Sequence, residues 1–265
     1  KYASEGDPSY IPSRKGLDDL RISGSGQFSA RQFDALVHEL RKKTKGPIYD
    51  VDLRQESHGF FDGTAVSWYG RHDWGNIGKS QAEVLIDEQQ RLQASLGTDV
   101  TVYDQGKGDL PIHPQTIVVR RVQTEQELAE SKGVHYVRLA STDHLWPTPD
   151  EIDRFLAFVR TLPDDAWLHF HCEAGAGRTT AYMVMYDMIK NPDVPYRDIV
   201  YRQYKIGGNY TPHDVSRPKR GDWKGPYYHE KHEMVSLFYQ YVQDQTKQGW
   251  SQSWSQWLEN KRMRV

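Results

Sequence analysis

The amino-acid sequence predicts an α/β fold. Helices with marked starts alternate with short strand-like runs through most of the chain, and near residue 172 a buried strand feeds through a glycine loop into an apolar helix. In chain order, Ser29 with Gln32 has capping-box spacing and opens a first helix. Ile48 to Leu53 reads as a strand. Ser80 with Glu83 opens a second helix, and Val100 to Tyr103 and Ile117 to Val122 read as strands after it. Thr124 with Glu127 starts a third helix, followed by a strand at Val134 to Leu139. Thr148 with Glu151 starts a fourth, with Pro149 at its first position. There Ile152, Phe155, Leu156 and Val159 form one apolar stripe, a core face rather than a cofactor box. Ala166-Trp167-Leu168-His169-Phe170 reads as a buried strand, and Thr179 to Lys190 as a buried helix stopped at Asn191-Pro192. Between Gln248 and Trp257 the bias toward Trp, Ser and Gln reads as aromatics packing the tail down.

The 265 residues suit one large domain, or a domain with a small insertion, and an ample core. A net charge of -2 exerts no overall pull on nucleic acid or membrane, so any attraction for a polyanion is local. The single cysteine excludes an intramolecular disulfide. No apolar run approaches transmembrane length. Lys1-Tyr2-Ala3-Ser4 does not read as a signal peptide, and the expected location is periplasmic or secreted with the leader removed.

The chemistry concentrates at His171-Cys172-Glu173-Ala174-Gly175-Ala176-Gly177-Arg178-Thr179-Thr180. Cys172 stands six positions before Arg178, with two glycines between them. A strand, a tight glycine loop and a helix N-terminus turn successive backbone N–H groups toward one point, where the helix dipole also favours an anion. The N–H groups of Glu173, Ala174, Gly175, Ala176 and Gly177 are therefore expected to hold an oxyanion. The same field favours the nucleophilic thiolate of Cys172. Arg178 supplies a planar fork for two phosphoryl oxygens, Gly175 and Gly177 permit unusual angles and close approach, and the Thr179 hydroxyl can donate to the sulfur. A lone cysteine in an apolar stretch is usually a small buried hydrophobe; here the loop, the flanking elements and Thr179 together favour catalysis. Glu173 is awkward, because an acid inside an anion-binding loop repels substrate unless it points outward or pairs with a base.

The run from His171 to Thr180, with Thr142-Asp143-His144-Leu145-Trp146-Pro147 and Asp52-Leu53-Arg54-Gln55-Glu56-Ser57-His58-Gly59, resembles the bacterial protein-tyrosine-phosphatase-like inositol polyphosphatases, the cysteine phytases. The resemblance extends from about Arg14 to the C-terminal tryptophans. It implies a phosphatase core at 1–49 and 121–265, and a small β-barrel-like insertion at 50–120. It also implies hydrolysis of myo-inositol hexakisphosphate and lower inositol phosphates through a phosphocysteine, with no cofactor and no metal. A leaving alkoxide needs an acid. The resemblance assigns that role to Asp143, whose bland reading is a turn cap before Trp146-Pro147. His144 beside it either orients substrate or packs. Lys224 and Lys231, in the basic stretch from Arg217 to Lys231, are implied as substrate contacts, as are Arg14, Asp73 and Lys107; alone, such a stretch is normally a solvated face. The alternatives are a tyrosine or phosphoinositide phosphatase and a non-catalytic inositol-phosphate binding module. Other motifs fail: His229-Glu230-Lys231-His232 lacks the i, i+4 zinc spacing, and adjacent Ser57 and His58 make no triad.

Overall fold

The computed structural model describes residues 6–215 and 219–263. The first half runs β1 (Ile22–Ser25), α1 (Ala30–Lys43), β2 (Ile48–Arg54), β3 (His58–Phe61), β4 (Thr64–Ser67), α2 (Gln81–Ser95), β5 (Asp99–Gln105), β6 (Pro111–Val118) and β7 (Val122–Gln123). The second runs α3 (Glu125–Ser131), β8 (His135–Ser141), α4 (Pro149–Arg160), β9 (Trp167–His171), α5 (Gly177–Lys190), α6 (Tyr196–Lys205), α7 (Gly225–Gln248) and α8 (Trp254–Met263).

Helix starts follow the caps. At Ser29, Ser80 and Thr148 both halves of the capping box form, whereas Thr124 accepts from the Glu127 backbone without the return bond. Pro149 occupies the first turn of α4, and Ile152, Phe155 and Leu156 are buried. The central sheet is all parallel, in the order β1-β9-β2-β8. In register, Leu168 of β9 lies between Ile22 and Tyr49. Helix α5 packs against β1 and β9 on one side and α6 and α7 on the other. This explains why Tyr182, Val184, Met185 and Met188 are fully buried on different faces of one helix. Trp254 and Trp257 close the same core against Tyr241, so the tail aromatics do pack it down.

The segment after β2 forms two smaller antiparallel units, β4-β3-β7 and the β5-β6 ribbon, around Phe61, Leu92 and Val119. The strand expected over Ile117 to Val122 is two strands. Val119 turns into the core, and Asp62 accepts from the Arg120 N–H while its own N–H donates to the Arg121 carbonyl, so the chain leaves one ladder and joins another. The buried helix after the loop starts at Gly177, two residues before the expected Thr179.

Candidate active site

The loop from Cys172 to Ala176 joins β9 to α5. Cys172 is buried, and its Sγ accepts a hydrogen bond from Thr179 Oγ1 at 3.1 Å. Ala176 caps α5 with no side-chain acceptor, so the first N–H groups of the helix open onto the loop. Gly175 is required twice over: its φ is +72°, and a Cβ would fall 2.4 Å from the Gly26 nitrogen. Gly177 has no such strain. What a Cβ there would meet is Lys231 Nζ, at 3.7 Å, an ordinary van der Waals contact that places the ammonium at the start of α5.

Arg178 is fully buried and held from behind. Its Nη1 and Nη2 donate to the two oxygens of Glu56 at 2.7 and 3.0 Å, and Nη1 also donates to the Ser141 carbonyl at 3.0 Å. Asp73 Oδ2 accepts from Nη2 at 3.2 Å. The remaining donor, Nε, has no hydrogen-bond partner and faces Asp143 Oδ1 at 3.4 Å. Burial opposes the charge on Glu56, but Arg178 and Arg54 outweigh it and hold the carboxyl well below the usual range. Asp73 behaves oppositely. Burial and the neighbouring Glu56 raise it to about 11, so it keeps its proton at neutral pH. Asp73 thus stands behind the arginine, on a turn where His72 and Asp73 both have positive φ.

Asp143 sits past the end of β8, with its side chain 18% exposed. Its backbone carbonyl accepts from Trp74 Nε1 at 2.9 Å, which ties the loop after β8 to the turn that carries Asp73. His144, at φ +71°, lies with Nε2 3.4 Å from Asp143 Oδ2. Burial lowers its ring to about 4 against the pull of Asp143, so it is neutral at physiological pH. The ring of Trp223 stacks on His72 at 3.7 Å and meets His144 edge-on at 5.0 Å, and with Trp74 and Tyr227 it forms an aromatic wall.

Two of the expected cations reach this place. Lys231 Nζ approaches Gly177, and burial brings the ammonium down to about 8 although Asp143 pulls it up. It pairs with no carboxylate among the described residues. Lys224, at the start of α7, lies with Nζ 5.3 Å from the Trp223 ring centre. Lys107 is exposed in the turn between β5 and β6, two residues before Asp109, whose carboxylate accepts from the His72 N–H. The structure does not bring Arg14 to the loop. It pairs with Asp18 in solvent, and the carbonyls of Ser13 and Lys15 receive Arg202, which is bound to Asp187 near the far end of α5. Of the basic stretch, Arg217 and Pro218 lie outside the described residues.

Sequence reasoning gave no role to Glu56, Ser141, Trp74, Trp223 or Glu125. The Glu125 carboxylate holds His171 Nε2 at 2.5 Å beneath the loop, and His171 Nδ1 lies 3.2 Å from the Cys172 carbonyl. Burial disfavours the imidazolium, but Glu125 and Asp52 outweigh it and raise His171 to about 9. Asp50, Glu125 and His171, and likewise Asp52, His58 and Glu125, gather buried groups of the kinds that bind metals. Their closest contacts, 2.5 Å for His171–Glu125 and 2.7 Å for His58–Asp52, are hydrogen bonds. Ligands around a tetrahedral zinc stand farther apart, at about 3.3 Å.

A parallel sheet ending in a cysteine loop at a helix N-terminus, with a carboxylate-held arginine and an aspartate opposite, is the arrangement of the protein-tyrosine-phosphatase-like fold. The family described as PTP-like phytase, inositol hexakisphosphate, matches residues 51–190, more than half of the chain, and the protein belongs to that family. It is similar to the tandemly repeated PTP-like phytase of Mitsuokella multacida, at 52% identity and a TM-score of 0.94 over 98% of this chain and 44% of that one. Similar too is the PTP-like myo-inositol phosphatase of the same organism, solved with myo-inositol-(1,3,4,5)-tetrakisphosphate, at 51% identity and a TM-score of 0.92 over 97% and 45%. Effector protein hopD2 of Pseudomonas syringae pv. tomato is 30% identical over 91% of this chain and 52% of its own length. The chain therefore spans about half the length of these relatives.

Proposed function

We propose that the protein is a phosphomonoesterase that hydrolyses myo-inositol hexakisphosphate and lower inositol phosphates through a phosphocysteine, without a metal. Cys172 attacks the phosphorus in line. The phosphoryl oxygens sit on the N–H groups of the 173–177 loop and on Arg178, where the free Nε is one donor kept for them. Asp143 protonates the leaving oxygen, then takes a proton from the water that attacks the thiophosphate, and the Thr179 hydroxyl steadies the departing sulfur. Glu56, with Asp73 protonated beside it, positions Arg178.

The observation that carries the substrate class is Lys231, a buried ammonium with no carboxylate partner among the described residues, directed at the start of α5. Desolvating an unpaired cation is costly, and an anion with several phosphates removes that cost when it binds. Lys224 and Lys107 stand at the rim for outlying phosphates. The likeness to the M. multacida enzyme solved with an inositol tetrakisphosphate supports the same reading. The test is kcat/KM for phytate against a phosphotyrosine peptide; preference for the peptide would overturn it. Dialysis against EDTA is expected to leave turnover unchanged.

The division into a core and a 50–120 insertion is also part of this proposal, with the first junction moved to the end of β2, whose strand ladder belongs to the parallel sheet. Among the described residues no helix is long and apolar enough to cross a membrane. We also propose a periplasmic or secreted location, where the single cysteine of this sequence would find no second thiol in it to pair with.

A further inference from the structure

Beside the catalytic loop, with Glu173 in its lining, lies a groove of about 850 Å³ between the two antiparallel units. Phe61, Val66, Trp68, Val100, Val102 and Ile117 give it an apolar lining. Along its walls run Thr64 to Gly70 and Val100 to Gln105 without a gap, whereas β6 contributes only alternate residues, Pro111, His113, Gln115 and Ile117. A strand that presents only a face shows every second residue, and one that presents its edge shows them all. The pairing agrees: among the described residues β4 is hydrogen-bonded only to β3, and β5 only to β6. Two free strand edges thus border one apolar slot, a feature that folds usually cover.

Charge selects the occupant. Asp104, Asp109 and Glu173 line the groove, and Asp109 is held ionised by hydrogen bonds from His72 and Gln105 that outweigh its partial burial. Of the basic side chains, Arg54 is spent on Glu56, Gln27 and Ser67, and His113 lies on Asp104. This places the acid that fits poorly in an anion loop, Glu173, on the groove side of the site. Lys231 lies against Gly177 and Lys224 near Trp223, whereas Asp104, Asp109 and Glu173 gather at the groove, and Tyr69 stands in the field of Asp73, Asp143, Asp109 and Glu173.

We propose that this groove docks an extended, cationic polypeptide segment of a partner protein, laid between the free edges of β4 and β5 with its basic side chains toward Asp104, Asp109 and Glu173. Backbone pairing to an edge supplies affinity, the apolar floor takes alternate side chains, and the carboxylates set the charge preference. The reading is independent of the phosphatase chemistry.

Fluorescence anisotropy with a labelled octapeptide of alternating Lys and Val tests it. This peptide is expected to bind. Its Glu–Val counterpart, and a Lys–Val version N-methylated on alternate backbone nitrogens, are expected not to. Asp104→Lys, at a side chain 72% exposed, should weaken binding about tenfold or more while leaving phytate turnover unchanged. Absence of binding by the Lys–Val peptide overturns the proposal. Equal binding of the N-methylated peptide, or displacement by spermine at equal charge, also overturns it, because either shows cation binding without strand pairing.

Discussion

Helix α5 carries a buried arginine–carboxylate pair at each end, and the two pairs are finished differently. Near its C-terminus Asp187 receives Arg202 through Nε at 2.8 Å and through Nη2, while Nη1 donates to the carbonyls of Ser13 and Lys15. Every nitrogen of that guanidinium is spent. At the N-terminus Arg178 has equal burial and its own bidentate carboxylate, yet among the described residues its Nε finds no hydrogen-bond partner, only Asp143 Oδ1 at 3.4 Å. An orphaned donor inside a protein costs free energy that packing does not return. A saturated buried arginine is a joint, and one with a donor held open is what the proposed oxyanion site requires.

That contrast is broken or sharpened by four experiments. Arg202→Met leaves Asp187 buried with only Gln203 and Asn191 as donors, and should cost about 3–5 kcal/mol of stability. It should spare the kcat of the folded fraction; denaturant titration beside single-substrate kinetics reads both. Arg178→Lys should do the reverse, lowering kcat by about 10²–10³ with an unfolding midpoint near that of the parent, since a lysine keeps charge near Glu56 but cannot hold that carboxylate and also keep a donor open where Nε stands. If both variants lose mainly stability, the distinction between the two ends is wrong.

Asp143→Asn comes next. Hydrolysis of an inositol phosphate, whose alkoxide needs a proton, should slow by about 10², while release of nitrophenolate changes little. Equal slowing of both substrates would place the acid elsewhere. The smallest effect concerns pH. Burial sets Lys231 at about 8, so its charge is full well below that pH and lost above it. Phytate association should therefore weaken several-fold as pH rises through 8, and Lys231→Met should flatten that step. An unchanged step in the variant would assign the titration to another group.

Much of the site was legible because its parts are adjacent in sequence. The Cys172 to Thr179 loop lies within one turn between a strand and a helix, and the boxes at Ser29, Ser80 and Thr148 are three-residue signals. Glu56 was not legible as the arginine's holder because 122 positions separate it from Arg178, and only the alignment of β2 beside β9 brings them together. Trp74 and Trp223 escaped for the same reason. At Gly177 no backbone angle demands glycine, and its neighbour Lys231 Nζ, 3.7 Å from where a Cβ would stand, comes from α7, 54 residues away. Helix α7 itself begins at Gly225-Pro226 without a side-chain cap, so the local signals that exposed the other starts are missing. Arg14 was placed by resemblance, and its segment instead braces the saturated arginine.

The order β1-β9-β2-β8 has a consequence for how the protein comes into being. Strands β1 and β2 leave the ribosome early, yet they do not touch; each waits for β9, which is synthesised more than a hundred residues later. A nascent chain that stops short of Trp167 holds two strand edges with an empty lane between them, and such edges invite wrong pairing. When β9 fills the lane, it also delivers Cys172 at its end. The proposed nucleophile is thus set in place by the same long-range closure that completes the sheet, a slow kind of step.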